Sequence, residues 1–198
     1  MTMHITIVGD GHLVGPLAEL STRAGHTVLQ VDGQTIDPSA CALSELVIVA
    51  GDRVAVSDTV AIVATRIRDD AVVVDATTTL EVDQSDGSEE HIDASEWMSL
   101  LPTTRIVRAF ASVPADAFVA LTDQSKTHDP TDLAVPLAGD DADSKSVVQR
   151  FMQQIGVDPF DLGPLTVSYV MEPGGPLWGK AADALEMQEC IGWLAGDG

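Results

Sequence analysis

The chain opens on an apolar strand, a glycine turn and a helix, and few folds accommodate that succession in so short a stretch. In I-T-I-V-G-D-G-H-L-V-G-P-L-A-E-L, Ile5, Ile7 and Val8 form a strand, Gly9 and Gly11 interrupt it, and a helical period follows before T-V-L-Q-V-D ends on Asp32. Apolar residues at consecutive strand positions require cover on both faces, and parallel strands joined by helices provide it. The two glycines permit a sharp turn and a close backbone approach, and the unpaired N–H groups that open the next helix attract an anion. This is the layout of a βαβ unit that holds a dinucleotide. Gly9, Asp10, Gly11, His12 and Leu13 are then expected around the pyrophosphate, and Asp32 at the adenosine ribose. His12 reads equally well as a solvent-facing residue at the helix start.

The glycine pattern is incomplete. Its third glycine is replaced by Val14, with Gly15 one position late, which puts a side chain where the helix packs on the sheet or meets the phosphates. Two readings follow, a displaced cofactor or a structural βαβ unit without a ligand. Pro16 fits only near the start of the helix, where a missing N–H breaks no intrahelical bond.

With 31 acidic and 10 basic residues, the chain carries a net charge of −21. Such a charge repels phosphate polymers and anionic bilayers, so neither nucleic acid nor a membrane is an expected partner. The longest apolar runs are strand-sized, well short of the roughly 18 residues that suggest a membrane span. The N-terminus enters a strand without a basic region or cleavage site, which points to a cytoplasmic protein. Cys41 and Cys190 match no metal or redox spacing and the histidines are scattered, so reduced thiols and no structural metal are expected.

Further apolar runs at 46–50, 71–76, 105–110, 133–138 and 157–162 read as strands, and 55–67, 94–101 and a segment from Asp141 to Ile155 as helices. Residues 33–44 are too few for a second strand–helix pair, so the sheet is expected to be abbreviated there. The acidic stretch 81–93 lacks the ligand alternation of a calcium loop and reads as a solvated loop. The expected fold is α/β, a Rossmann-like, doubly wound, mostly parallel sheet over residues 1–165. A short C-terminal helical extension, 166–198, follows and is not an independent domain. Its tryptophans, Met187, Ile191 and Leu194 suggest a homodimer interface, or else cover for one face of the sheet within the subunit.

The strand ends Ala50-Gly51-Asp52, Ala76-Thr77-Thr78 and Phe110-Ala111-Ser112 stand where ligands of doubly wound sheets bind. Together with I-V-G-D-G-H-L, V-V-V-D-A-T at 72–77, L-P-T-T-R-I-V-R-A-F, L-A-G-D-D at 137–141, D-L-G-P-L and M-E-P-G-G-P-L-W, they follow a recognisable order. Over nearly the whole chain that order resembles the family of NADP-dependent oxidoreductases typified by coenzyme F-420-dependent reductases. Departures are Val14 for the third glycine, Thr78-Thr79 for Asn-Pro, and Ala111 for Asn.

The resemblance implies hydride transfer between a nicotinamide cofactor and a small planar acceptor such as a flavin, a deazaflavin or a quinone-like ring. Ala50, Gly51, Thr77 and Thr78 would lie at the nicotinamide half. Met171, Leu177 and Trp178 would bound the acceptor, or be ordinary core. The cofactor is NAD or NADP; Asp32 and the absence of Arg or Lys between Ala24 and Asp52 favour NAD. The alternative is a non-catalytic module that binds or senses a dinucleotide. No G-x-S-x-G, H-E-x-x-H or Walker pattern offers a rival chemistry.

Overall fold

A computed structural model of the protein describes residues 2–31, 41–52, 60–61, 64–78, 101, 103, 105–123, 125 and 128–192. Seven strands form one sheet: β1 (His4–Val8), β2 (Thr27–Val31), β3 (Leu46–Asp52), β4 (Val72–Thr78), β5 (Ile106–Ala109), β6 (Ala134–Gly139) and β7 (Asp158–Asp161). Their spatial order is β2-β1-β3-β4-β5-β6-β7. Among the described residues β2 is an edge strand, in keeping with the short segment that follows it.

Strands β1 to β5 are mutually parallel, whereas β6 runs antiparallel to β5 and parallel to β7. The sequence gives no sign of this reversal. Every residue of β6 is buried, and a strand covered on both faces reads the same in either direction. The β5-to-β6 connection also contains a helix absent from the sequence expectations, α2 (Ala115–Thr122), which packs on α1 (Val14–Arg23). Pro114 before an apolar period with Phe118 and Leu121 was the available signal. Further helices are α3 (Ala142–Gln154) and α4 (Ala184–Ile191), with 3-10 turns over Pro130–Asp132 and Leu165–Met171.

Period-two alternation sorts the strands onto two faces. On one, Ile5, Ile7, Val74, Val107, Val135 and Leu137 meet Leu17 of α1, Phe118 of α2 and Phe151 of α3. On the other, Val47, Val49, Val73 and Ile106 pack with Val60 and Ile67, while Ala134 and Ala138 pack with Val170, Met171, Leu177 and Met187 of the C-terminal extension. Of the apolar residues that suggested a dimer, Met187 is buried in this cluster, Ile191 and Trp178 are half-buried, and Trp193 and Leu194 lie outside the described residues. Tyr169 and Leu185 remain exposed.

Pro16 lies in the first turn of α1, where its missing N–H has no intrahelical partner. Val60, Ala61 and Ala64 are helical, as the 55–67 reading requires, although 53–59 and 62–63 lie outside the described residues. So do the acidic stretch 81–93, Trp97 and Trp193. Among the described residues, no helix is long and apolar enough to cross a membrane, and no group of His, Cys, Asp and Glu converges as a metal site would require.

Candidate functional site

The chain leaves β1 for β2 on one side and crosses to β3 on the other. The carboxyl ends of β1 and β3 therefore flank the crevice in which open α/β sheets take their ligands. Gly9 turns out of β1 at φ 120° and its N–H donates to the Val31 carbonyl at 2.9 Å, fixing the turn to β2. Gly11 then passes directly against β3. A Cβ on Gly11 would lie 2.6 Å from Gly51 Cα and 2.9 Å from Gly51 N, closer than backbone atoms can be pushed aside. Gly51 itself has φ 135°, a conformation other residues rarely adopt. The Gly11–Gly51 contact joins the turn to the end of β3, so Gly11 has a structural duty besides any approach to a phosphate.

Beyond that contact α1 begins without a cap. Leu13, at its N-cap position, makes no side-chain capping bond, and the first turn contains no acid. The Val14 N–H donates to the Gly11 carbonyl at 3.0 Å. Among the described residues, no acceptor meets the N–H groups of Gly11, His12 and Leu13. These donors and the positive end of the helix dipole make the turn suitable for an anion. Asp10 and His12 are exposed, Gly9 and Gly11 half-buried, and Leu13 buried.

Val14, expected either where the helix packs on the sheet or at the phosphates, takes the first of these places. Its side chain is buried in the cluster that contains Leu17 and Ala18, so it points into the core under α1 instead of over the helix start. Gly15, one position on, has nothing within 4 Å of its would-be Cβ. The replaced glycine therefore leaves the donor turn open.

The other sequence-predicted residues fall into three groups. Ala50 and Gly51 are buried at the end of β3, and Thr78 is half-buried at the end of β4. Thr77 is fully buried and turns its hydroxyl inward to Asp75 Oδ1 at 2.7 Å, so only Thr78 of the pair has an exposed portion. Asp32 and Thr79 lie outside the described residues; Asp32 directly follows Val31, the last residue of β2. Met171 and Leu177 belong to the core between β6 and the extension, while Trp178 is half-buried.

Phe110, just past β5, is buried with φ 68°, a conformation that costs a bulky residue on the order of 1–3 kcal/mol. Its ring is held by Phe118 and Phe151, with centroids at 5.8 and 6.2 Å. The strained turn leads to Ala111 and Ser112, both buried. The Ser112 carbonyl accepts from the Gly179 N–H at 2.8 Å, which brings the residue after Trp178 to the end of β5.

Sequence reading did not single out the ion network under this region. Arg108, 1% exposed, places Nη1 2.8 Å from Asp75 Oδ1, and Asp75 is fully buried. Its Nη2 lies 2.8 Å from Glu172 Oε1, to which Nε also donates at 2.8 Å. The available signal was one charge inside each of two apolar strands, V-V-V-D-A-T and I-V-R-A-F. Charges are almost never fully buried unless paired.

Two cavities lie away from the glycine turn. One of about 320 Å³ is bordered by Arg23, Leu121, His128 and Gln154, and one of about 200 Å³ by Arg68, Arg105 and Arg150.

No family model matches the chain. Its fold is similar to that of a hypothetical protein from Sinorhizobium meliloti, with TM-score 0.68 and 22% identity over 92% of this chain and 96% of that one. It is also similar to a protein from Arthrobacter sp. FB24 provisionally described as an F420-dependent NADP reductase, with TM-score 0.69 and 18% identity over 96% and 95% of the two chains. Prephenate dehydrogenase from A. aeolicus, solved with NAD+, matches 85% of this chain at TM-score 0.54 and 13% identity. The chain spans 62% of that longer protein. Identities at this level establish a shared Rossmann-like fold.

Proposed function

We propose that the protein is a nicotinamide-dinucleotide-dependent oxidoreductase whose pyrophosphate site is the turn from Gly9 to Leu13. The observation that carries this reading is the start of α1: uncapped, without an acid in its first turn, and held at the sheet's crossover by the Gly11–Gly51 contact. The likeness to the Arthrobacter and A. aeolicus proteins supports the same reading. Backbone N–H groups of residues 11–13 hold the pyrophosphate, Asp32 accepts from the adenosine ribose hydroxyls, and the ends of β3 and β4 flank the nicotinamide half.

A nicotinamide cofactor supplies or accepts a hydride, and that chemistry depends on placement and shielding more than on an acid–base pair. The acceptor in this reading is a small planar ring. NAD(H) is preferred to NADP(H), because Asp32 repels a 2′-phosphate and no Arg or Lys stands between Ala24 and Asp52 to receive one.

A thermal-shift titration with NADH and NADPH tests binding, since a ligand selective for the folded state raises apparent stability. Stabilisation by NADH at lower concentration than NADPH is expected. Oxidation of the bound NADH by a flavin, a deazaflavin or a quinone then tests turnover. Binding without any hydride transfer favours a sensing module, and no binding of either nucleotide overturns the proposal.

A further inference from the structure

The Asp75–Arg108–Glu172 network lies on the sheet face covered by the C-terminal extension, in strands that border two apolar clusters. Buried ion networks are weak devices for stability, because removing charges from water offsets much of their attraction and apolar replacements are often as stable. Here one guanidinium bridges carboxylates on two different elements, Asp75 of β4 and Glu172 of the C-terminal extension. What the network joins is more informative.

At one end, Asp75 Oδ1 accepts from both the N–H of Thr77 at 3.0 Å and its hydroxyl at 2.7 Å. Arg108 Nη1 also reaches Thr77 Oγ1 at 3.4 Å. Thr77 is paired in register with Gly51, whose Cα and N back against Gly11. At the other end, Glu172 begins a strap that leads to Gly179. The Leu177 N–H on that strap donates to the Val170 carbonyl at 2.9 Å, and the Gly179 N–H to the Ser112 carbonyl at 2.8 Å. The strap is thus tied to the ends of both β4 and β5, and it carries the half-buried Trp178 between its last two anchors.

We infer that Arg108 and Glu172 are positioning residues for the nicotinamide half of the site: their ion pair ties the 172–179 strap to β5, and through Asp75 to the end of β4. This rests on the dinucleotide reading and adds to it a division of labour. The adenosine and pyrophosphate half depends on the turn at Gly9–Leu13 and on β2, to which Arg108 and Asp75 make no hydrogen bond or ion pair among the described residues. The nicotinamide half depends on the β4 end and the strap, which the network holds. The charge-assisted hydrogen bonds of Asp75, Arg108 and Glu172 order the groups they join, while Asp75 Oδ2 accepts no hydrogen bond among the described residues.

The test compares NADH with ADP-ribose, which lacks the nicotinamide, on the full chain by calorimetric titration. Glu172→Gln keeps the shape and one acceptor oxygen while removing the charge, and Arg108→Lys keeps the charge while removing the fork. Circular dichroism establishes that each is folded. For Glu172→Gln the expected result is NADH affinity lowered roughly tenfold, with ADP-ribose affinity unchanged within about twofold. Arg108→Lys should show the same split. Equal weakening of both ligands, no weakening of either, or failure of both variants to fold makes the network a structural brace and overturns the inference. If the parent binds neither ligand, the dinucleotide reading itself fails, an outcome distinct from parental binding without the split.

Discussion

The N-termini of α1 and α3 are built in opposite ways. At α3, Asp141 caps the helix through the Ser144 N–H at 2.9 Å, the Ser144 hydroxyl also donates to the Asp141 carboxylate, and Asp143 adds a charge to the first turn. At α1 the cap position is Leu13, the first turn has no acid, and the free donors border the ligand crevice. Among α1, α2, α3 and α4, in a chain with 31 acidic residues, only α1, at the sheet's crossover, has no acid in its first turn. One terminus satisfies its own donors, and the other does not. On the proposed reading the first serves stability and the second binding, so substitutions at the two should separate those properties.

The largest effect is expected from Gly11→Val. Its branched side chain would meet the backbone of Gly51, so it should both abolish NADH binding and destabilise the fold by about 1–3 kcal/mol, as overpacking does. Denaturant unfolding and nucleotide titration read the two losses. A variant as stable as the parent would show that the turn has freedom to move away from β3.

Gly15→Glu should make the two properties diverge in sign. The site is open and exposed, and replacing a helix glycine while adding an acid near the N-terminus should stabilise by roughly 0.5–1.5 kcal/mol. The same charge should weaken NADH binding several-fold through repulsion of the pyrophosphate, more at low salt than at high. A higher Tm together with tighter NADH binding would break the comparison.

Asp141→Ala makes the converse change. Loss of the cap should lower Tm modestly and leave nucleotide affinity untouched. The hydrogen bonds from the Ser144 hydroxyl and N–H, with a smaller contribution from Arg105, hold the Asp141 carboxyl below its ordinary range. A depressed carboxyl stabilises the fold above its unfolded pKa, and the stabilisation is lost as pH falls through the folded value. The Tm difference between parent and variant should therefore be present at pH 7 and shrink below about pH 4. A gap independent of pH would assign the loss to something other than the ionised cap.

The smallest effect concerns His26, in the turn between α1 and β2. Burial lowers its pKa, with a smaller contribution from the N-terminal amino group. Its Nδ1 accepts from the Met3 N–H at 3.2 Å and its ring lies 5.8 Å from that of Phe151. The fold holds this imidazole neutral, so its contribution is complete above the unfolded pKa of about 6.5 and declines as pH falls below it. His26→Gln should flatten the stability profile between pH 7 and 5 without changing NADH affinity at pH 8. An unchanged slope would place the acid sensitivity in the carboxylates.

Much of the scaffold was legible in the sequence, because β1, β3, β4 and β5 are buried on both faces and read as mostly apolar runs. The direction of β6 was not, since burial erases the alternation that would distinguish it, and α2 was concealed by its brevity. At the site, the glycine turn could be read from two residues, but a linear motif left the Val14 side chain between the sheet and the phosphates, and only the rotation of α1 sends it into the core. The Arg108 network was hidden for another reason. Arg108 and Glu172 are 64 positions apart, and no local pattern brings together residues that only the folded sheet makes neighbours.

The contrast between the two helix starts can be read amide by amide in a 15N-labelled sample titrated with NADH and observed by heteronuclear NMR. The account predicts saturable shifts of the Gly9, Gly11, His12 and Leu13 amides, with the Asp143 and Ser144 amides at the start of α3 unmoved. Shifts confined to α3 or to the cavities distant from the glycine turn, or no shifts at millimolar NADH, would contradict it.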